Sequence, residues 1–200
     1  MITLYDFKSS PNCQRVKVVL AEKNLPYQTV PVDLRAQAQK TPDFLKLNPN
    51  GKVPVVTDGD TVLYESCIIN EYLDERYPTP PLMPPDPAKK AKVRILTDYG
   101  LTHLEGQYQK LRMETMKDEK EQNKEIIAAA QTELRRLLQR LENEIGDQSY
   151  LVGDFSLADA ALIPRFIRLE GFGVLPDQSL PRLAKYLERM KQRSSIKAIL

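Results

Sequence analysis

The sequence predicts two parts in tandem, a mixed α/β domain over residues 1–77 and an all-helical domain over residues 88–200. Three observations predict this. Strand and helix patterns alternate through the first part. Residues 78–87 hold six of the 15 prolines, a density that neither a helix nor a central strand tolerates. Beyond them, apolar residues recur only at helical spacing.

The elements follow in order. Residues 2–7 read as a short strand. Residues 15–23 carry Val16, Val19 and Leu20 at helical spacing and read as a helix, ended by Asn24-Leu25-Pro26. Residues 27–32 form a second strand. Thr41 and Pro42 suit an N-cap and a first helical position. Residues 53–57 and 61–64 are two short strands joined through Asp58-Gly59-Asp60, a strong hairpin signal. Residues 66–76 close the first part as a helix, with Ile69, Tyr72 and Leu73 on one face. In the second part, residues 88–116 predict one long amphipathic helix. Residues 117–124 read as a charged tip and turn. Residues 123–145 form a second long helix with Leu134, Leu137, Leu138 and Leu141 inward, stopped at Gly146-Asp147. Shorter helices are expected near 156–169 and 181–192.

Composition excludes several functions. Hydrophobic residues make up 42% and charged residues 28% of the 200 residues, with a net charge of +2, as expected of a soluble globular chain. Residues 1–80 carry nine Lys/Arg and ten Asp/Glu, so no cationic field forms and nucleic acid is not an expected partner. No apolar run approaches the ~18 residues of a membrane span, and with no basic or apolar stretch ahead of Ile2-Thr3-Leu4-Tyr5 a secretory signal is not expected. Two cysteines, Cys13 and Cys67, do not make a disulfide framework, so a reducing cytoplasm is the expected location. His103 is the lone histidine, which disfavours a His-based triad or a multi-histidine metal site and leaves it an ordinary helix residue. Tyr99, Tyr108 and Phe172 could shape an apolar pocket but read first as core.

Four segments carry chemistry. Ser9-Ser10-Pro11-Asn12-Cys13-Gln14-Arg15 lies at a helix N-terminus, where free N–H groups favour negative charge. A disulfide-exchange protein would place Cys-Pro-x-Cys here. Ser10 stands at the nucleophile position, where a hydroxyl can donate to a bound thiolate and lower its pKa from roughly 8.5 toward neutrality. A plain N-cap is equally compatible. Cys13, three residues on, reads as a packed small hydrophobe. Asn48 to Val56 brings Pro54 into a strand start, which suits an edge; a cis Val53–Pro54 bond would turn the Val53 backbone outward for pairing with an extended peptide. Glu65-Ser66 opens a helix and offers a carboxylate and an N-cap hydroxyl. Ser156-x-x-Asp159 reads as a structural capping box.

Taken in series, Ser-Pro-x-x-x-Arg-Val, NPNGKVPVV, YES, INEYLDERYP and GDFSLADAAL resemble the glutathione S-transferase superfamily over nearly the whole chain. The resemblance implies a thioredoxin-like first domain and a helical bundle. It implies Ser10 as the catalytic residue, Val53 before a cis Pro54 as the backbone clamp, Glu65 and Ser66 as the glutamyl-holding pair, and Lys40 and Lys52 near the glycyl carboxylate. Glutathione would be the co-substrate, with no metal, and the chain would conjugate it to small hydrophobic electrophiles in detoxification, acting as a homodimer. The stretches VVLAEKN and ESCIINEYLDERYPTPPLMP resemble stringent starvation protein A, a branch implying a non-catalytic adaptor for RNA polymerase. That branch's Pro-His-Pro appears here as Pro78-Thr79-Pro80, and its catalytic position is not a serine. Reduction of disulfides or dehydroascorbate is disfavoured by Ser10.

Overall fold

The computed structural model describes residues 1–175 and 177–200. They divide into two compact units, Met1–Met83 with Arg193–Leu200, and Pro84–Gln192. The first unit is built on a four-stranded sheet of order β2-β1-β3-β4, with β1 (Ile2–Asp6), β2 (Tyr27–Pro31), β3 (Val55–Asp58) and β4 (Thr61–Tyr64). β1 and β2 run parallel, joined through α1 (Pro11–Glu22), because a parallel pair needs a crossover. β3 is antiparallel to β1 and to β4. The hairpin turns on Gly59 and Asp60, and Gly59 takes the positive φ of +59° that the tight turn requires.

Alternation along β1 separates two faces. Tyr5 meets Phe44 of α2 (Pro42–Leu47) edge-on at 6.2 Å between ring centroids. Cys13, Val32, Phe44, Val53 and Val55 form a buried cluster, lined by Tyr5, Phe7 and Leu47. Ile2, Leu4 and Val56 point the other way and are also buried. α3 (Ser66–Arg76) packs against α1. α1 starts at Pro11, four residues before the sequence pattern placed it. Ser10 caps the helix and Pro11 occupies a first-turn position, where its missing N–H costs nothing, so the polar first turn is helical without an apolar stripe.

The prolines after α3 are held by a buried network. Lys23 Nζ donates to Asp74 Oδ1 at 2.7 Å and to the Pro80 carbonyl at 2.6 Å, and Asp74 also accepts from the Leu82 and Met83 N–H groups. Residues 78–81 are exposed between these anchors. The final residues return to this unit through α9 (Ser194–Lys197): Arg193 forks onto Glu22, Ser195 donates to the same carboxylate, and Gln14 donates to the Ile199 carbonyl. Chain order alone places residues 193–200 with the helical half.

In the second unit, α4 (Pro87–Tyr99) and α5 (Glu105–Thr115) are continuous through a π-helical segment at Gly100–Leu104. The sequence pattern predicted one unbroken α-helix there. The wider turn coincides with a close approach, since a Cβ at Gly100 would lie 2.0 Å from Leu162 Cδ2. α6 (Lys124–Ile145) is capped by Asn123 and buries Leu134, Leu137, Leu138 and Leu141. α7 (Leu157–Gly171) and α8 (Pro181–Gln192) complete the unit. Asp159 is buried at the start of α7 and accepts from Ser156 N and Oγ, Leu151 N and the Tyr186 hydroxyl. Glu142 of α6 caps α8, accepting from the Arg182 and Leu183 N–H groups at 2.9 and 2.8 Å. Tyr99 and Tyr108 are buried, and Tyr108 lies under the Arg165 guanidinium, which forks onto Glu105. His103 is exposed.

Candidate functional site

Sheet register brings Ser10, Lys40, Val53-Pro54 and Glu65-Ser66 to one end of the sheet, whereas Ser156-x-x-Asp159 lies in the second unit at the start of α7. Tyr5 pairs with Val55, Val55 with Tyr64, and Asp6 with Pro31. The C-terminal ends of β1, β2 and β4 and the start of β3 therefore share one end of the sheet. Ser10 follows β1, Lys40 follows β2, Val53-Pro54 precedes β3, and Glu65-Ser66 follows β4. Such an edge, where strand ends meet helix starts, is where α/β sheets bind ligands.

Ser10 is the α1 N-cap. Its N–H donates to the Phe7 carbonyl at 2.8 Å, and its Oγ accepts a long bond of 3.4 Å from the Cys13 N–H. That bond uses a lone pair and leaves the hydroxyl proton to donate elsewhere. The cap and the donor role are thus compatible. Cys13 is fully buried and its Sγ accepts from the Phe7 N–H at 3.5 Å. Burial pushes its thiol up to about 12, so it carries no thiolate at neutral pH.

Val53 sits between a braced turn and a cis Val53–Pro54 bond. Asn48, itself buried, donates to the Lys52 carbonyl at 2.7 Å and accepts from the Asn50 N–H at 2.9 Å. Gly51 takes φ +57° beside this brace. The ladder resumes at Val55, and among the described residues nothing hydrogen-bonds to the Val53 N–H or C=O. Lys40 folds over the same turn, with Nζ 3.5 Å from the Asn50 carbonyl. A Cβ at Gly51 would lie 2.7 Å from that Nζ. Lys40 and Lys52 are both exposed.

At α3 the expected cap is displaced by one residue. Glu65 occupies the N-cap position without a side-chain cap bond, and Ser66 is the first helical residue. Glu65 takes φ +69°, ψ 107°, a region costly for a non-glycine residue and characteristic of functional sites. Ser66 Oγ, instead of closing its own turn, lies 3.5 Å from Nη1 of Arg15. Arg15 is only 3% exposed and also donates to Asn12 Oδ1 at 2.8 Å. Asn70, one turn along α3, donates to the Arg15 carbonyl at 3.4 Å, and its own Oδ1 is buried without a hydrogen-bond partner among the described residues. Burial pushes the neighbouring Cys67 thiol up, and the Arg15 charge acts against it. Arg15 and Asn70 were missed as site residues. The available signal was a guanidinium set among the apolar positions of a helix only five residues beyond Ser10.

Among the described residues no cluster of His, Cys, Asp or Glu could hold a metal ion, and no helix is long and apolar enough to cross a membrane.

Comparison with known proteins agrees with this architecture. Residues 4–81 match the glutathione S-transferase N-terminal domain and residues 77–194 the C-terminal domain. A stringent starvation protein A homolog of Haemophilus influenzae is 34% identical over 98% of this chain and 88% of its own length. Glutathione S-transferase 3 of Zea mays is 35% identical over 82% of this chain and 77% of its own. Among solved structures, a glutathione transferase homolog from Sulfitobacter with bound glutathione covers 100% of this chain and 96% of its own, at a TM-score of 0.82 and 29% identity. With both domain descriptions matched in order and relatives of this similarity matched over most of their length, the chain belongs to the glutathione S-transferase family.

Proposed function

We propose that this protein is a glutathione transferase that conjugates glutathione to small hydrophobic electrophiles. The observation that supports it most is the free backbone of Val53 at the sheet edge where Ser10, Glu65 and Ser66 also lie. An extended peptide can pair with that backbone as an added strand. In this reading the cysteinyl residue of glutathione pairs with Val53 beside Pro54. The glutamyl carboxylate meets Ser66 at the α3 N-terminus, and the ammonium meets Glu65. The glycyl carboxylate lies near Lys52 and Lys40, and the thiol reaches Ser10. The Ser10 hydroxyl donates to the thiolate and lowers its pKa; the attack on an electrophile then needs little beyond proximity. The helical unit supplies the apolar site for the electrophile, and the working form is a cytoplasmic homodimer, which sedimentation would test. The proposal is tested by glutathione conjugation across a panel of aryl halides and isothiocyanates, with Ser10→Ala as comparison. No rate above background with any electrophile would overturn it.

A second reading is favoured by the 34% identity to a stringent starvation protein A homolog over 98% of the chain and by the exposed Pro78-Thr79-Pro80-Pro81 segment anchored through Lys23 and Asp74. As a non-catalytic adaptor the protein would dock on RNA polymerase through that segment. Pull-down of polymerase, abolished by replacing Pro78, Thr79 and Pro80 together, would support the adaptor; retention of binding in that triple variant would exclude this surface.

A further inference from the structure

The connection between β1 and α1 puts a lysine two residues from Ser10. β1 ends at Asp6 and α1 starts at Pro11. Between them the chain turns tightly, with the Ser10 N–H donating to the Phe7 carbonyl at 2.8 Å, so Lys8 stands in the same short turn as Ser10. Lys8 is exposed, and among the described residues its side chain makes no hydrogen bond or ion pair. Asp6, the acid nearest to it in sequence, is buried and holds Lys17 instead, with Oδ2 2.5 Å from Nζ. The turn that carries Ser10 therefore also carries an uncompensated positive charge.

In the pose proposed above, glutathione has no use for that charge. Its ammonium meets Glu65, its glutamyl carboxylate meets Ser66, its glycyl carboxylate lies near Lys52 and Lys40, and its sulfur reaches Ser10. A second molecule that comes to the sulfur meets the β1–α1 turn. A lysine ammonium on its flexible four-carbon stem can follow an anionic group on that molecule. The attraction reaches across a Debye length of about 10 Å at 0.1 M salt and shrinks to about 3 Å at 1 M. A neutral electrophile of the same shape gains nothing from it.

We propose that Lys8 is a specificity-determining residue that selects electrophiles whose apolar body carries a carboxylate. The inference rests on the transferase reading above, and the experiment separates the two. With an aryl chloride, the thiolate, its proton already released to water, forms a C–S bond at the carbon that bears chlorine. The C–Cl bond breaks and chloride leaves with the bonding electrons. Lys8 takes no part in that exchange and acts on the carboxylate alone.

Two probes suffice: 4-chloro-3-nitrobenzoate and 4-chloro-3-nitrobenzamide, which differ in one charge. For each, kcat/KM is divided by the rate constant with free glutathione, which removes the difference in intrinsic reactivity. The wild type should then favour the benzoate by about three- to tenfold at low salt, the attraction of two unit charges about 6 Å apart along a mostly aqueous path. Lys8→Met should abolish the preference, Lys8→Arg should keep it, and Lys8→Glu should reverse it. Salt at 1 M should erase it in the wild type and leave Lys8→Met unchanged. Any effect of Lys8 on the glutathione thiol itself falls on both probes and cancels in the ratio. A wild type without preference would overturn the inference while leaving the transferase reading intact, and so would a preference that survives in Lys8→Met. Conjugation of neither probe, nor of any other electrophile, would overturn the transferase reading and this inference with it.

Discussion

Replacing Asp74 by alanine should destabilise the protein by about 3–5 kcal/mol, the usual cost of breaking a buried ion pair from one side. The magnitude follows from the surroundings of Lys23. Its side chain is 0% exposed and that of Asp74 is 8% exposed, with Nζ 2.7 Å from Oδ1. The other partner of the ammonium is the Pro80 carbonyl, a dipole that cannot neutralise a unit charge. Asp74 also takes the N–H groups of Leu82 and Met83 at 2.8 and 2.9 Å. Alanine therefore strands a buried cation and two donors together, and each donor that stays dry adds about 1–3 kcal/mol. Some relaxation of the exposed proline segment toward water keeps the sum near the lower end. Adding Lys23→Met to Asp74→Ala removes the stranded charge and should recover much of the loss, since an apolar replacement for a buried pair is often neutral or better. Urea unfolding of the wild type, both single variants and the double completes the cycle. An Asp74→Ala variant within about 1 kcal/mol of wild type would show that the ammonium reaches water after all and would refute the reasoning.

Burial raises the Asp159 carboxyl to about 6 against four hydrogen bonds that favour its ionised form. A carboxyl that holds its proton more tightly when folded adds stability below about 3.8 and loses it as pH rises through about 6, an effect of about 3 kcal/mol. Stability of the wild type relative to the non-titrating Asp159→Asn should therefore fall across that window, and a flat difference would contradict it. Cys13, with its thiol pushed up to about 12 and no exposure, should resist iodoacetamide in the folded protein at pH 8; mass spectrometry of the alkylated protein reads this directly. Gly100→Ala should destabilise by about 1–3 kcal/mol in thermal unfolding, because the new methyl overpacks against buried Leu162; a raised melting temperature would mean the helix preference for alanine wins. If the transferase proposal holds, Ser10→Ala should raise the pKa of bound glutathione, measured by thiolate absorbance against pH, while changing affinity less than Ser66→Ala does.

The hairpin of residues 55–64, the Thr41-Pro42 helix start and the burial of Leu134, Leu137, Leu138 and Leu141 were legible because each depends on neighbours in sequence. Errors arose where a distant residue decides. The α1 start was missed because the first turn has no apolar stripe, and the Ser10 cap with Pro11 sets the boundary instead. The π segment at Gly100–Leu104 leaves no trace in hydrophobic period; it coincides with the approach of Leu162, far along the chain. α9 is four residues long and is held by Glu22, which no local pattern reveals.

The candidate site divides along the same line. Ser10, Val53 and Ser66 were nameable because each sits beside a local signal: a proline, a turn or a helix start. Their convergence needed the register Tyr5–Val55–Tyr64, which sets three segments at one sheet end. Arg15 needed more, since its meaning comes from Ser66, 51 residues away. Read alone, an arginine in a helix is a solvated charge. Read with its 3% exposure, it is a cation whose desolvation must be offset by the groups it holds. Those groups belong to the first turns of α1 and α3, the two helices that rise from the candidate site. A buried charge there restricts how both helix starts can move, so the same residue that costs stability in isolation gives the polar edge of the sheet a fixed geometry. On the proposed reading, in which this edge holds a flexible, doubly anionic peptide, that fixity favours binding, because ordering left to the moment of binding subtracts from affinity.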